Sequence, residues 1–156
     1  MRLRARFSIA LLLSFVFAGG FGGTYAALAT ASSSTVTIAA QANFCARVVA
    51  ISNTDASERA QLNATAYNGC TAGSVSAKPS GWLGSSVGLK RPNGTLCSSA
   101  ATTYSTAKTA YKSSMAYWNS SACGTRVQLS AAGIGYAYNG SGYTSRSVQA
   151  PFQVYP

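Results

Sequence analysis

The amino-acid sequence predicts an all-β protein, an antiparallel β-sandwich held by two disulfides and preceded by a helical signal peptide. Residues 133–148, GIGYAYNGSGYTSRSV, have the pattern of a β-hairpin. Residues 91–94, RPNG, predict a second turn between two apolar segments. Strand-like segments follow one another at intervals of about 8 to 12 residues, which is typical of a sandwich.

The predicted hairpin has one bulky face. Ile134, Tyr136 and Tyr138 recur at a spacing of two, so their side chains share one side of a pleated strand. Asn139-Gly140 suits the positive φ values of a tight hairpin turn. Because Ile134 is aliphatic, we expect this side to face the core, with Tyr136 buried and Tyr138 partly exposed near the turn.

The other strands are predicted from alternating polarity or from β-branched content. They are expected over residues 35–39, 44–52, 59–67, 74–78, 82–90, 95–99, 110–119, 125–131 and 152–155. The first of these suits an edge strand, and residues 31–34 before it are expected to be a polar linker. The small, polar segment 100–109 predicts a loop or a weak strand.

Residues 59–67 allow two interpretations. The alanine content of this segment, and the Asp55-x-x-Glu58 spacing before it, favour a capped helix. Its strict alternation favours a strand with Ala60 and Leu62 on the same face. Turn-forming residues flank the segment on both sides, so we predict a strand.

The N-terminus has the composition of a secretory signal peptide. Three arginines in the first six residues precede an apolar run, 7–17, that is too short to span a bilayer. Two Ala-x-Ala triplets place the cleavage after Ala29 or Ala31. An uncleaved membrane anchor is the alternative, but glycines interrupt any extension of the apolar run. We therefore predict a signal peptide over residues 1–31 and a single secreted domain over 32–156.

The chain is basic, with 12 Lys or Arg, 2 Asp or Glu and no His. Loss of the three signal-peptide arginines lowers the formal charge from +10 to +7. The remaining cations are spread along the chain, which favours loose attraction to anionic surfaces such as cell-wall polymers. Nucleic acid binding would need a basic cluster on one face, so it is not favoured.

Cysteine usage agrees with export. The mature chain is rich in Ala, Gly and Tyr, so its core is expected to be thin, and disulfides would supply the missing constraint. The four cysteines are Cys45, Cys70, Cys97 and Cys123. A zinc site is the rival interpretation, but the chain has no His and no C-x-x-C pair, so no metal is predicted.

The predicted strands suggest how the cysteines pair. A hairpin that turns at residues 53–58 would bring Cys45 opposite Cys70. A second hairpin between Cys97 and Cys123 would bring those two residues together. We therefore predict the disulfides Cys45–Cys70 and Cys97–Cys123.

The residue types that most hydrolases need are scarce. Without His, a general base would have to be a carboxylate or an unusual Lys. The only acids, Asp55 and Glu58, are three residues apart in a predicted loop, too close in the chain to flank a sugar from opposite sides. Lys78 in SVSAK comes nearest to a Ser–Lys pair but does not match the Ser-x-x-Lys spacing. We predict no enzymatic activity and no cofactor.

Two resemblances add to this interpretation. The segment YAYNGSGYTSRSVQAP resembles the last hairpin of immunoglobulin-like and fibronectin type III sandwiches, which makes an immunoglobulin-like topology one expected strand order. The segments YNGC, GWLG, LKRPNGTLC and YNGSGY are similar to those of small secreted actinobacterial proteins of unassigned function. This second resemblance implies export by a Gram-positive cell and two disulfides, and it implies no activity.

Aromatic side chains are the candidate binding residues, because aromatic faces stack on sugars and dominate protein interfaces. The candidates are Trp82, Trp118, Tyr138 and Tyr143. Trp118 shares its predicted strand face with Lys112 and Ser114, so we expect it to be exposed. The first hypothesis is a secreted, non-catalytic module that binds a glycan, a cell-wall polymer or an extracellular protein. In the structural alternative, most of these rings fill the core and bind no ligand.

The second functional hypothesis is a secreted effector. A disulfide-braced loop at residues 90–94 could act as the reactive element of a hydrolase inhibitor or of a bacteriocin-like factor. The sequence does not separate this hypothesis from the binding module.

Overall fold

A computed structural model describes residues 31–71 and 73–156, which form two antiparallel sheets packed face to face. The predicted signal peptide, 1–31, lies outside the described residues except for its last position. The elements are β1 (Ala31–Gln41), β2 (Phe44–Asn53), β3 (Arg59–Tyr67), β4 (Leu83–Lys90), β5 (Leu96–Tyr104), β6 (Tyr111–Tyr117), the single helical turn α1 (Ser120–Cys123), β7 (Val127–Tyr138), β8 (Tyr143–Gln149) and β9 (Gln153–Tyr155). In the described residues, no helix has the length and apolar character needed to cross a membrane.

The chain changes sheets three times. The first sheet has the strand order β1-β2-β3-β6, and the second has the order β5-β4-β7-β8, with β9 pairing the beginning of β7. In the immunoglobulin sandwich the third strand leaves the sheet that the first two form. Here β1, β2 and β3 are successive neighbours, so the strand order differs from that of the immunoglobulin fold.

The core lies between the two sheets and is built from small and medium side chains. Alanines line much of it because the inward positions of β3 are Ala60, Leu62, Ala64 and Ala66, all with 1% exposure or less. This alternation of buried and half-buried residues confirms the prediction of a strand over 59–67. The larger buried side chains include Phe44, Leu83 and Leu89.

The predicted inward side of the hairpin is wrong. Gly135 and Ala137 face the core, whereas Ile134, Tyr136 and Tyr138 lie on the outer face of the second sheet and are half-buried. The physical reason is space: a Cβ at Gly135 would clash with the side chain of Val48 on the facing sheet. The sheets approach so closely here that only small residues fit between them.

Several strand boundaries also differ from the prediction. The expected linker 31–34 belongs to β1, whose edge position is as predicted. The segment 100–109, expected to be a loop or a weak strand, contains the second half of β5. The two strands expected over 125–131 and 133–138 are one continuous strand, β7. The beginning of β7 pairs with β9, and the rest of it pairs with β4. Residues 74–78 form only isolated bridges at Val75 and Lys78.

Both predicted disulfides are confirmed. Cys45 and Cys70 have a Cα–Cα distance of 5.1 Å, and Cys97 and Cys123 one of 5.0 Å. The first pair follows from the β2–β3 hairpin, in which Cys45 lies opposite Tyr67. The route to the second pair differs from the expected hairpin, because β5 and β6 lie in different sheets. The Cys97–Cys123 bond therefore ties the second sheet to the helical turn that follows β6.

Tyr155 near the C-terminus provides a pH-dependent contribution to stability. Its side chain is fully buried, and its hydroxyl donates a hydrogen bond to the carbonyl of Arg59 at 3.2 Å. Burial raises the pKa of Tyr155 from 10.0 to about 12. Between these values the unfolded chain loses the proton while the folded chain keeps it, so the free energy of unfolding falls as the pH rises. We expect a loss of about 2 to 3 kcal/mol.

Urea unfolding at closely spaced pH values, compared with Tyr155→Phe, measures this contribution. The variant has no phenol to ionise at position 155, so the difference between the two proteins should change between pH 10 and pH 12. Stability profiles that stay parallel over this interval would show that Tyr155 ionises as it does in the unfolded chain.

Candidate functional site

Six aromatic side chains form a continuous cluster where β4 begins and where β7 turns into β8. We call it the aromatic cluster; its members are Phe44, Trp82, Tyr104, Tyr136, Tyr138 and Tyr143. Ring centroids are 5.8 Å apart for Phe44 and Trp82, and 5.6 Å apart for Trp82 and Tyr138. The chain of contacts continues at 5.6 Å from Tyr138 to Tyr143 and at 4.7 Å from Tyr143 to Tyr104. Tyr136 completes it at 6.0 Å from Tyr104.

The turn between β7 and β8 holds two members of the cluster in place. The Asn139 side-chain oxygen accepts hydrogen bonds from the backbone N–H groups of Ser141 and Gly142 at 3.0 and 2.8 Å. Gly140 adopts a φ of 101°, which a residue with a Cβ rarely adopts. The Tyr138 hydroxyl donates to the Gly140 carbonyl at 2.8 Å, and the turn therefore fixes this ring as well as the chain reversal.

Tyr143 is fixed by a second contact across the sheet end. Its hydroxyl donates to the carbonyl of Gly81 at 2.7 Å, which ties β8 to the residues that lead into β4. Gly81 in turn donates its N–H to the carbonyl of Ser105 at 2.7 Å, just beyond β5. The ring of Tyr143 is thus oriented by hydrogen bonds at its hydroxyl end while 45% of the residue stays exposed.

Tyr104 lies beside Tyr143 on the outer face of the second sheet. Its ring covers Gly84 of the neighbouring strand, where a Cβ would come within 2.6 Å of the ring carbons. Glycine at this position therefore lets the ring lie down on the strand. Tyr104 is 37% exposed, and together with Tyr143 it presents adjacent aromatic surfaces to solvent. We call this pair the tyrosine platform.

Tyr104 of the platform stays uncharged at neutral pH. Desolvation, with smaller contributions from Tyr143 and Tyr136, raises the pKa of Tyr104 above its ordinary value of 10.0. The two carboxylates of the described residues, Asp55 and Glu58, follow the C-terminal end of β2, whereas Phe44 of the aromatic cluster lies at its N-terminal end. The Ser57 hydroxyl and backbone N–H hold the pKa of Asp55 below its ordinary value.

The structure brings three of the four predicted binding residues together. Trp82, Tyr138 and Tyr143 belong to the aromatic cluster. Trp118 lies elsewhere, just beyond β6, where its indole Nε1 donates to the carbonyl of Gly124 at 3.1 Å. The expectation that Trp118 is exposed was wrong: it is half-buried and packs against the core.

The misleading signal for Trp118 was the polar residue on its strand face. Ser114 is buried, and its hydroxyl lies 2.7 Å from that of Ser85 on the facing sheet. A serine can therefore occupy an inward position when a second hydroxyl satisfies it. Polar identity alone did not reveal the direction of this face.

Tyr104 is the platform residue that sequence reasoning missed. The segment 100–109 is polar and small and predicts only a loop or a weak strand, so the sequence assigns Tyr104 to no sheet face. Tyr136 was expected in the core and lies instead in the aromatic cluster. A detectable signal was the outward series of small residues on β4, Gly84, Ser86 and Gly88, which leaves room for neighbouring side chains.

A groove with a volume of about 450 Å³ lies on the outer face of the second sheet. Its floor includes Ser86 and Gly88 of β4 and Ala132 and Ile134 of β7. Leu96 and Ser99 line the β5 side, and Ser147 and Gln149 line the β8 side. Lys90 lies at the far end, where its Nζ donates to the Gln149 side-chain oxygen at 3.2 Å.

The described residues contain no group of three or more His, Cys, Asp or Glu side chains that could hold a metal ion. What the arrangement offers is aromatic surface and hydrogen-bonding groups along one face. Comparison with models of protein families, with curated proteins and with solved structures found no match to this chain.

Proposed function

We propose that the protein is a secreted, non-catalytic binding module that recognises a glycan, a cell-wall polymer or an extracellular protein through the tyrosine platform. The observation that carries the proposal is the pair of adjacent, partly exposed rings of Tyr104 and Tyr143, whose centroids lie 4.7 Å apart on one sheet face. Within this class, glycan is the favoured ligand, because flat aromatic faces with polar hydroxyls suit the apolar faces of pyranose rings.

The packing around the platform supports a binding role. Tyr143 is held by its hydrogen bond to Gly81, and Tyr104 rests on Gly84, so each ring has a defined orientation before any ligand arrives. Preorganised rings lose less conformational entropy on binding than mobile ones. A purely structural role would bury these rings more completely, as it does Phe44, which is 1% exposed.

The proposed compartment is extracellular, and the source a Gram-positive, actinobacterium-like exporter. Two disulfides are compatible with an oxidising environment, where such bonds persist. The predicted signal peptide and the basic mature chain agree with a protein released near anionic cell-surface polymers.

Alanine substitution of the platform tests this proposal. Tyr104→Ala and Tyr143→Ala should each weaken binding to insoluble cell wall, chitin or cellulose by about 1 to 3 kcal/mol, because each removes a stacking surface. Trp118→Ala should leave binding unchanged and lower stability, since its ring packs against the core. Depletion of the purified protein from solution by each polymer gives the affinities.

Tyr111→Ala is the matched control. Tyr111 is 60% exposed on β6 of the first sheet, so its loss removes an equally accessible ring from a different face. If Tyr111→Ala reduced binding as much as the platform variants, the platform would not be the binding site. If no polymer or extracellular protein retained the wild-type protein, the binding function itself would be refuted.

One feature favours the effector alternative. The exposed turn after β4 is braced by hydrogen bonds from Arg91 N–H to the Thr95 carbonyl and from Arg91 Nη2 to the Ala122 carbonyl, both 2.8 Å, and by the nearby Cys97–Cys123 bond. A rigid exposed turn is the usual reactive element of a protein inhibitor. A screen against extracellular hydrolases with wild type and Asn93→Asp separates the two functions, because only an inhibitor depends on this turn.

A further inference from the structure

We propose that the groove beside the platform binds an extended anionic glycan polymer, with one sugar ring on the tyrosine platform and an acidic substituent at Lys90. This inference rests on the proposed glycan-binding function and adds the charge and the length of the ligand. Carboxylate groups of uronic acids and phosphodiesters of sugar-bearing polyols present the same chemistry to a lysine, so both are tested below.

The groove is built by small residues on the two central strands. Ser86 and Gly88 point outward from β4, while Leu83, Val87 and Leu89 point into the core. A Cβ at Gly88 would lie 3.0 Å from the Leu96 side chain, so glycine lets this leucine from β5 close over the floor. A chain of sugars could lie along this face without displacing any strand.

The groove begins one row of residues beyond the platform. Ser86 and Ile134 are directly paired neighbours on β4 and β7, and they follow the row of Gly84 and Tyr136 beneath the platform. From Gly84 to Lys90 the strand advances six residues, a distance of about 20 Å. This length suits several linked sugars rather than one small molecule.

The charge of the groove selects the ligand. Lys90 is the only charged residue among those that line it, and its hydrogen-bond partner, Gln149, is neutral. No carboxylate of the described residues lines the groove, since Asp55 and Glu58 lie in the loop between β2 and β3. An acidic substituent at this end would therefore meet a cation without a competing acid.

The surface also argues against a peptide strand as occupant. Strand addition requires the free backbone groups of a sheet edge. The groove floor belongs to β4 and β7, which are central strands with neighbours on both sides. A ligand bound here must contact the side chains on the outer face of the sheet, and a polysaccharide can do so.

A matched pair of polymers tests the inference by isothermal titration. The probes are oligogalacturonate and its methyl ester, which share the same sugar backbone but differ in charge. Wild type should bind the acid form about two- to fivefold more tightly, as expected for one partly exposed charge pair, and the preference should vanish near 1 M salt. A glycosylated ribitol phosphate polymer replaces the carboxylate by phosphate, and tighter binding of this polymer would assign the acidic group to phosphate.

Lys90→Gln removes the cation while keeping a polar side chain. It should abolish the preference for the acid form and leave binding of the methyl ester unchanged. Arg47→Gln, on the outer face of the first sheet, makes the same change in net charge and should keep the preference. Ser86→Tyr fills the groove from its solvent-facing floor and should weaken binding of all three polymers at least tenfold, with folding checked by circular dichroism.

The outcomes separate the inference from the proposed function. If wild type binds the ester as tightly as it binds the two anionic polymers, and Lys90→Gln changes none of these affinities, the anionic site is refuted and the platform stands. Equal effects of Lys90→Gln and Arg47→Gln also refute it, since net charge alone would then explain the preference. If wild type binds none of the three polymers but retains chitin or cellulose, the platform again stands alone. If wild type binds no glycan at all, the inference and the glycan form of the proposed function are both refuted, and an extracellular protein is left as the ligand of the platform.

Discussion

Gly133→Ala should destabilise the protein by about 3 kcal/mol or more. A Cβ at this position would clash with the backbone carbonyl of Ser86 and would lie 2.6 Å from a methyl carbon of Leu62 on the facing sheet. Overpacking of a closely packed core usually costs 1 to 3 kcal/mol, and a clash with backbone atoms belongs at or above the upper end. Urea unfolding followed by tryptophan fluorescence measures the change.

Tyr136→Ala is the informative comparison, because the two residues lie on opposite faces of β7. Tyr136 is half-buried on the outer face, so its truncation should cost only about 1 kcal/mol despite the loss of many more atoms. A Gly133→Ala protein as stable as wild type, beside a Tyr136→Ala protein that unfolds, would mean that the hairpin faces the opposite way.

Removal of the Cys97–Cys123 disulfide should have an effect of similar size. With a sequence separation of 26, the bond restricts the unfolded chain by roughly 3.5 kcal/mol according to the loop-entropy relation. The double variant Cys97→Ala, Cys123→Ala should therefore show a lower urea midpoint by the corresponding amount. The variant avoids a free thiol and leaves a small apolar residue at the buried position 123.

The variant Cys45→Ala, Cys70→Ala serves as the control, since its disulfide has almost the same sequence separation, 25. Loop entropy alone predicts equal losses for the two double variants. We expect a greater loss for Cys97–Cys123, because this bond also joins the two halves of the sandwich. A loss below about 1 kcal/mol for this pair would show that packing alone holds α1 against the second sheet.

Local sequence was sufficient to predict most of the strands. Alternation over 59–67 and the Asn139-Gly140 turn predicted β3 and the β7–β8 hairpin, because strand periodicity and turn φ values are properties of neighbouring residues. The pairing of Cys45 with Cys70 followed from the same local argument.

The inward and outward faces depended on the facing sheet. Ile134 and Tyr136 are bulkier than their neighbours Gly135 and Ala137, yet the two small residues face the core. At Gly135, Val48 of the facing sheet leaves no room for a larger side chain. Periodicity shows that two faces exist, whereas the distance between sheets decides which face is buried.

The amino-acid sequence by itself determined an all-β chain, its main turns and its disulfide partners. Tertiary structure alone decided that β5 and β6 separate into different sheets and that Tyr104 reaches Tyr143 across the outer face of the second sheet. These two residues are 39 positions apart in the chain, and two strands lie between theirs in the sheet. No local sequence pattern indicates that their rings are in contact. The tyrosine platform exists because strand order and the missing Cβ of Gly84 bring the rings together.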